Sequence, residues 1–329
     1  MTGTDEATTW GDEGVVERAT DDTGAGEDGG GDNLGRRLGE TMGRVFMEEM
    51  GILVLKPRKK CLKILRALIL VCTMVYVCAR IPMHLFVIVS MQRSGSGWFE
   101  TLLNSHMNVS SNGEIFGQLN RRQNVSSIIE TLDSVYNLEL LTSSSKNQCS
   151  AAIGFKWMLN QGLMQHPNEI VDYFAKRGVS VIFFLRRNML RRLVSILANS
   201  YDKDAKLLNG VHVSHVHSHQ EALTLSRYKP TINITSLESD LGEMESTVMK
   251  ALDYFNSTRH IIVYYEDLIK NPSSKLIQVE EFLKVGRMKL SSQQVKIHKG
   301  ALSEHINNWD DVNKTLSGTM YERFLRAEY

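Results

Sequence analysis

An α/β fold with a central, mostly parallel sheet between layers of helices is what this 329-residue sequence predicts, and three observations carry it. Short, continuously apolar and β-branched runs recur near 86–90, 151–156, 180–185 and 260–264, the pattern of strands covered on both faces. Amphipathic segments separate them, near 97–105, 167–177, 189–200, 240–255 and 273–284, as crossover helices require. The first strand also runs directly into a glycine-rich turn and a helix start, FVIVSMQRSGSGWFETLL from Phe86 to Leu103.

That stretch organises the rest. Phe86 to Ser90 reads as a buried strand, and Phe99, Leu102 and Leu103 fall at core-facing helical spacing. Between them lie Arg93, Ser94, Gly95, Ser96 and Gly97. Glycines there allow left-handed backbone and close approach, so that successive N–H groups and the helix dipole converge on an anion. Arg93 is the one strong cation of the turn, with a planar fork of donors suited to phosphate or sulfate. The turn has neither the lysine nor the spacing of the ATPase loop G-x-x-x-x-G-K-[ST], which disfavours a nucleotide kinase. A second strand-to-helix junction at Val179–Ser195, VSVIFFLRRNMLRRLVS, places Arg187 at a strand end and Ser195 about two turns into a helix.

With 42% hydrophobic residues, the chain has material for a well-buried core. Residues 1–40 differ, with eleven Asp or Glu against three Arg and almost no large apolar side chain, so 1–55 reads as a disordered tail. The formal charge of the chain is +1, and this −8 tail therefore hides a body of about +9. Such a body suits an anionic ligand, although charge alone suits lipid or nucleic acid equally well.

Residues 56–82 read as a basic flank and a membrane anchor. The uninterrupted apolar part, Ala67–Ala79, is only 13 residues, but Leu62–Ile81 supplies 20 if Lys63 and Arg66 snorkel, about 30 Å of helix. Lys56, Arg58, Lys59, Lys60, Lys63 and Arg66 precede it and Arg80 follows closely. The positive-inside rule then predicts a single-pass type II protein with its domain at 83–329 lumenal, for which the Golgi is the expected compartment. Sequons at Asn108, Asn124, Asn233, Asn256 and Asn313 are compatible with that placement. Cys61, Cys72 and Cys78 lie at the anchor and only Cys149 in the folded part, so no disulfide within the domain is expected.

The turn RSGSGW after one strand and R-N-x(6)-S after another resemble the two nucleotide-binding motifs of sulfotransferases that use 3′-phosphoadenosine-5′-phosphosulfate (PAPS). The segments SMQRSGSGWFETLLN, SSNGEIF, GFKWMLNQGLM, YYEDLIKNP and VKIHKG are similar to the nodulation-type and trehalose sulfotransferases and, above all, to their plant membrane-bound relatives. The resemblance runs from about Leu85 to the C-terminus. It implies a P-loop-type three-layer α/β/α fold, with PAPS bound through Arg93, Ser94, Gly95, Ser96, Gly97 and Trp98 at the phosphosulfate and Arg187 and Ser195 at the 3′-phosphate. Lys299–Gly300 resembles the late loop that closes over the nucleotide. The acceptor implied is a hydroxyl of a glycan or a small molecule, with no metal and no nucleic acid as partner.

Sulfuryl transfer to an alcohol needs a base for the hydroxyl proton. Glu114, in SSNGEIFG, is the residue chosen, with Arg93 stabilising the developing charge; His106 is the alternative by analogy with cytosolic sulfotransferases. Lys156 is a second candidate cation or a snorkelling strand-end lysine, and Trp157 packs against a ligand or in the core. Of Arg186, Arg191 and Arg192, at least two are expected on the solvent side. His212, His215, His217 and His219 suggest an acceptor loop, a solvated loop or a metal site. Glu266 and Asp267 read as structural, at a helix N-terminus. A catalytically inactive, membrane-tethered nucleotide-binding protein is the other reading of the same motifs.

Overall fold

The computed structural model describes residues 59–80, 83–140 and 150–326, with side chains at 59–61 and 74–80 excepted. The acidic tail and Cys149 lie outside these residues. The chain divides into two units, residues 1–68 and 69–329. Helix α1, Lys59–Arg80, is described from the end of the first into the second.

The expected anchor is not supported. Among the described residues no helix is long and apolar enough to cross a membrane. Helix α1 forms, but its uninterrupted apolar stretch of 13 residues is about 20 Å long, short of a ~30 Å hydrocarbon core. Lys59, Lys60, Lys63 and Arg66 fill its N-terminal half.

The second unit carries β1 (His84–Ser90), α2 (Ser96–Ser105), β2 (Val109–Ser111), α3 (Val125–Tyr136), β3 (Ala152–Met158), α4 (Pro167–Arg177), β4 (Ser180–Leu185) and α5 (Met189–Ala205). Then come α6 (His219–Ser226), α7 (Leu237–Tyr254), β5 (His260–Tyr264), α8 (Tyr265–Lys270), α9 (Pro272–Phe282) and α10 (Trp309–Leu316). The five strands form one sheet in the order β2-β3-β1-β4-β5, every pair parallel. Strand alternation divides the core into two layers. Val87, Val89, Phe155, Trp157, Val181 and Phe183 pack on one face with α3, α4, α5 and α7. Phe86, Ile88, Ile182 and Phe184 pack on the other with α2, α8 and α9, and Phe99 stacks on Phe184 with ring centres 4.4 Å apart. The expected three layers are present.

Two irregular segments in the sequence reading are partly helical. Asn124 caps α3 by accepting the Ser127 N–H, and Ile128, Leu132 and Val135 bury one stripe of that helix. Ser218 likewise caps α6, with Glu221 completing a capping box. Strand β2, three residues long, carried no periodic signal and was missed; it docks on β3 at the sheet edge.

The connections leave β1 toward β2 on one side, while β3 crosses over to β4 and β5 on the other. The crevice between the carboxyl ends of β1 and β4 is the switch point at which such sheets bind ligands.

Candidate active site

A cavity of about 480 Å³ opens at that switch point. Its floor is the turn after β1. Arg93 adopts left-handed backbone, φ 64°, and Gly95 follows with φ 88° as the cap of α2. A Cβ on Gly95 would lie 2.7 Å from the Tyr265 ring, so the turn both needs the left-handed residue and leaves no room for a side chain. Ser96 and Gly97 then begin α2 and line the cavity, at the helix end where backbone N–H groups lack intrahelical acceptors.

Above the turn is a concentration of arginines. The Arg93 Nε donates to Ser195 Oγ at 3.0 Å, and its Nη1 to Asn199 Oδ1 and the Ser214 carbonyl. Arg186 donates from Nη1 to the Arg93 carbonyl at 3.2 Å and lies 5.0 Å from the Tyr265 ring centre. Arg191, 4% exposed, donates to the Gly300 carbonyl, and Arg192, 7% exposed, to the Gln92 carbonyl. Arg93, Arg186 and Arg191 line the cavity, and Arg192 braces the turn from below. These hydrogen bonds of Arg93 and Arg192 all end on neutral oxygens. Burial, reinforced by the neighbouring Arg186, pulls both guanidinium groups down to about 10. Positive charge partly withdrawn from water and hydrogen-bonded to neutral oxygens favours a bound anion.

The end of β3 builds the opposite wall. Lys156 is buried, its Nζ 3.1 Å from Glu100 Oε2 and 3.7 Å from Glu114 Oε2. Glu100 is buried too, and its Oε1 accepts from Ser111 Oγ at 2.6 Å and from the Gly113 N–H. Glu114 is the exposed member, its side chain 35% accessible at the cavity and fixed by a 2.5 Å hydrogen bond from Gln161 Nε2. Fixed cations, a cradle of N–H groups and a partly exposed carboxylate thus share one cavity, an arrangement able to bind an anion and take a proton beside it.

Residues 84–320 match the sulfotransferase domain family. The chain belongs to the sulfotransferase family. Among curated proteins, it is similar to nodulation protein H of Rhizobium tropici, 22% identical over 247 residues, which cover 74% of this chain and 93% of that one. Among solved structures, a sulfotransferase from Alicyclobacillus acidocaldarius is 13% identical with a TM-score of 0.38, over 65% of this chain and 86% of the other. A mouse sulfotransferase complexed with PAP is 12% identical with a TM-score of 0.34, over 63% and 61% respectively.

Within this sulfotransferase the site differs from its sequence reading at several residues. Arg187 does not line the cavity. Successive side chains past a strand end point to opposite faces, and Arg186 takes the cavity side. Arg187 pairs with Asp267 through both terminal guanidinium nitrogens, lies 3.8 Å over the Tyr264 ring and stays 48% exposed. Asp267 holds that guanidinium's pKa above its ordinary value, and Arg187 in turn pulls the carboxylate's down. Glu266 accepts the N–H groups of Arg187 and Asn188, while Tyr265 of the same segment lines the cavity.

Ser94 is buried beneath the turn, its N–H on the Met91 carbonyl, rather than facing the cavity. Lys299 contributes its carbonyl to His305 and Gly300 its carbonyl to Arg191, while Lys296 and His298 line the wall that those two were expected to form. Arg191 and Arg192 are buried, where two of three arginines were expected at the surface. His106 is also buried, Nε2 on the Gly286 carbonyl and Nδ1 accepting the Asn108 N–H, which removes it as a base. Trp157 is wholly buried and stacks on Phe116.

The histidine run disperses. His212 binds Asp202, His217 lends its N–H to Glu221, and His219 begins α6. Among the described residues no cluster could hold a metal. His215 alone enters the site, its ring atoms 2.5 Å from where a Gly97 Cβ would be. Desolvation, with Lys156 and Arg93 nearby, lowers its pKa to about 4. Glu100 was missed altogether; its signal was a carboxylate set within the apolar run Trp98–Leu103.

Proposed function

We propose that this sulfotransferase moves a sulfuryl group from PAPS to a hydroxyl of a carbohydrate or small acceptor, with Glu114 as the base. The observation that carries the proposal is the convergence of Arg93, Arg186 and Arg191 on the cavity floored by the Gly95–Gly97 turn, with the Arg93 guanidinium bonded to neutral oxygens. The residues fit the nucleotide: Arg93, Ser96 and Gly97 would take its phosphosulfate end, and Arg186, Arg191 and Ser195 its 3′-phosphate. The bound nucleotide supplies an activated sulfuryl group with a phosphate leaving group.

The chain's own groups do the rest. Glu114, anchored by Gln161 and faced by Lys156, accepts the proton of an acceptor hydroxyl placed at the mouth of the cavity. Arg93 and the turn's N–H groups offer preorganised charge where the leaving phosphate gains it. Lys156 is held between two carboxylates and offers a further cation to the transferring group. Location in the secretory pathway belongs to the same proposal, supported by the exposed sequon at Asn124, and a mobility shift on glycosidase treatment checks it.

Incubation of the full chain with sulfur-35 PAPS and a panel of saccharide alcohols tests the function. Transfer to at least one acceptor is expected, reduced 10²- to 10⁴-fold in Glu114→Gln as loss of a general base implies. An inactive wild type that still binds the nucleotide would leave the binding-protein reading in its place.

A further inference from the structure

Two arginines flank the Glu114–Gln161 pair, and no step above uses them. Arg121 donates from Nη1 to the carbonyl of Ile115, the residue after Glu114, at 3.1 Å. Arg122 donates from Nη1 to the carbonyl of Asn160, the residue before Gln161, also at 3.1 Å, and its Nε is buried with no hydrogen-bond partner among the described residues. Both guanidinium groups thus end on neutral carbonyl oxygens. The carboxylates of this wall, Glu100 and Glu114, are turned to Lys156 instead.

The backbone holds both arginines in place. They close a segment of two short 3₁₀ turns, Ile115–Gly117 and Leu119–Arg122, that starts from Glu114. Ile115 and Phe116 are buried, and Phe116 stacks on Trp157 with ring centres 4.0 Å apart, which pins the first turn to the end of β3. A Cβ on Gly117 would lie 3.9 Å from Gln161 Nε2, so the segment curls around the amide that fixes Glu114. A Cβ on Gly162 would lie 3.4 Å from Arg122 Cβ, which seats Arg122 against the turn carrying that amide. Gln118, Leu119 and Asn120 are exposed, so the rim is open to solvent.

A guanidinium has five N–H donors in a planar fork, and each of these two has spent one of them on a carbonyl. The remaining donors match a carboxylate in bidentate fashion. An uncharged acceptor leaves the buried Arg122 Nε unmet, which costs free energy. An acidic acceptor is repelled by Glu114 and needs compensating cations at this spot. We infer that Arg121 and Arg122 form an acceptor subsite for a carboxylate: the substrate is an acidic saccharide, a uronic acid whose reacting hydroxyl reaches Glu114 while its carboxylate rests on the two arginines. The inference rests on the reading of Glu114 as the base of a sulfuryl transfer.

The full chain is assayed with sulfur-35 PAPS on oligomers of galacturonic acid and of glucuronic acid, each beside its methyl ester, which keeps every hydroxyl and loses the charge. Wild type is expected to use an acid with kcat/KM at least tenfold above its ester, chiefly through KM, as loss of a charge-assisted contact implies. In the double variant Arg121→Gln/Arg122→Gln that ratio is expected to fall at least tenfold, whereas a merely structural defect lowers acid and ester alike. Arg121→Glu/Arg122→Glu is expected to reverse the preference. Equal use of acid and ester by wild type, or a ratio unmoved in both variants, overturns the inference and leaves the transferase reading standing. Transfer to neutral saccharide alcohols but to no acid does the same. Transfer to no saccharide at all takes down the transferase reading and this inference with it.

Discussion

At the residue scale, Arg186 and Arg187 show how little separates a ligand from a support. Both follow β4 and both are arginines, yet one enters the cavity and the other caps the outer face against Asp267 and Tyr264. Replacement of Arg186 by Ala is expected to weaken nucleotide binding by about 1.5–3 kcal/mol, the loss of a charge-assisted contact. Arg187→Ala removes a half-exposed pair and is expected to change stability by less than about 1 kcal/mol. Equilibrium unfolding and nucleotide titration of the two variants separate these effects.

Lys156 belongs to the same scale. Changing it to Met leaves Glu100 buried with its charge unpaired, which costs about 3–5 kcal/mol in comparable sites. In a domain of this size that is roughly 6 °C or more in Tm, and thermal unfolding reads it. An unchanged Tm would mean that water already screens the pair.

At the element scale, the junctions between strand and helix carry the function, and there sequence was most and least informative. The strand runs and the glycine turn were legible because burial and left-handed backbone restrict residue choice strongly. Gly95→Ala is expected to lower both stability and nucleotide affinity, since a Cβ there meets Tyr265 at 2.7 Å in a backbone conformation L residues resist. A fully stable Gly95→Ala protein would show that Tyr265 moves aside.

Facing was not legible. R-N-x(6)-S fixes spacing along the chain but not which of two adjacent arginines turns inward. Strand β2 and helix α3 escaped because three residues give no period and because α3 begins on a polar cap, with its stripe embedded in a polar stretch.

At the scale of the whole molecule, residues distant in sequence meet only through tertiary contacts, and these were invisible beforehand. His215 and His298 reach one cavity because Val216 and Val295 pair across its rim. Glu100 and Lys156 meet because β1 and β3 are neighbours in the sheet. The anchor is unsupported for a different reason: helix α1 forms, but its uninterrupted apolar run is only 13 residues.

The two histidines also set a global pH response. Their folded values, about 4 and about 3, lie below the ordinary 6.5. Between those values and 6.5 the unfolded chain therefore binds more protons, so their contribution lowers stability as the pH falls through that window. Melting curves from pH 7.5 to 4.5 are expected to show the loss, and saturating nucleotide to reduce it. Ligand at 100 times its Kd adds about 2.7 kcal/mol on its own.

The central claim is that the arginine cradle at the carboxyl ends of β1 and β4 binds the phosphates of the sulfuryl donor. Titration of the full chain with 3′-phosphoadenosine 5′-phosphate, comparing wild type, Arg93→Ala, Arg186→Ala and Arg187→Ala, tests it most directly. Tight binding by wild type and Arg187→Ala, with at least tenfold losses in the other two, is the result this site predicts. Folded wild type that does not bind, or losses confined to Arg187→Ala, would contradict it.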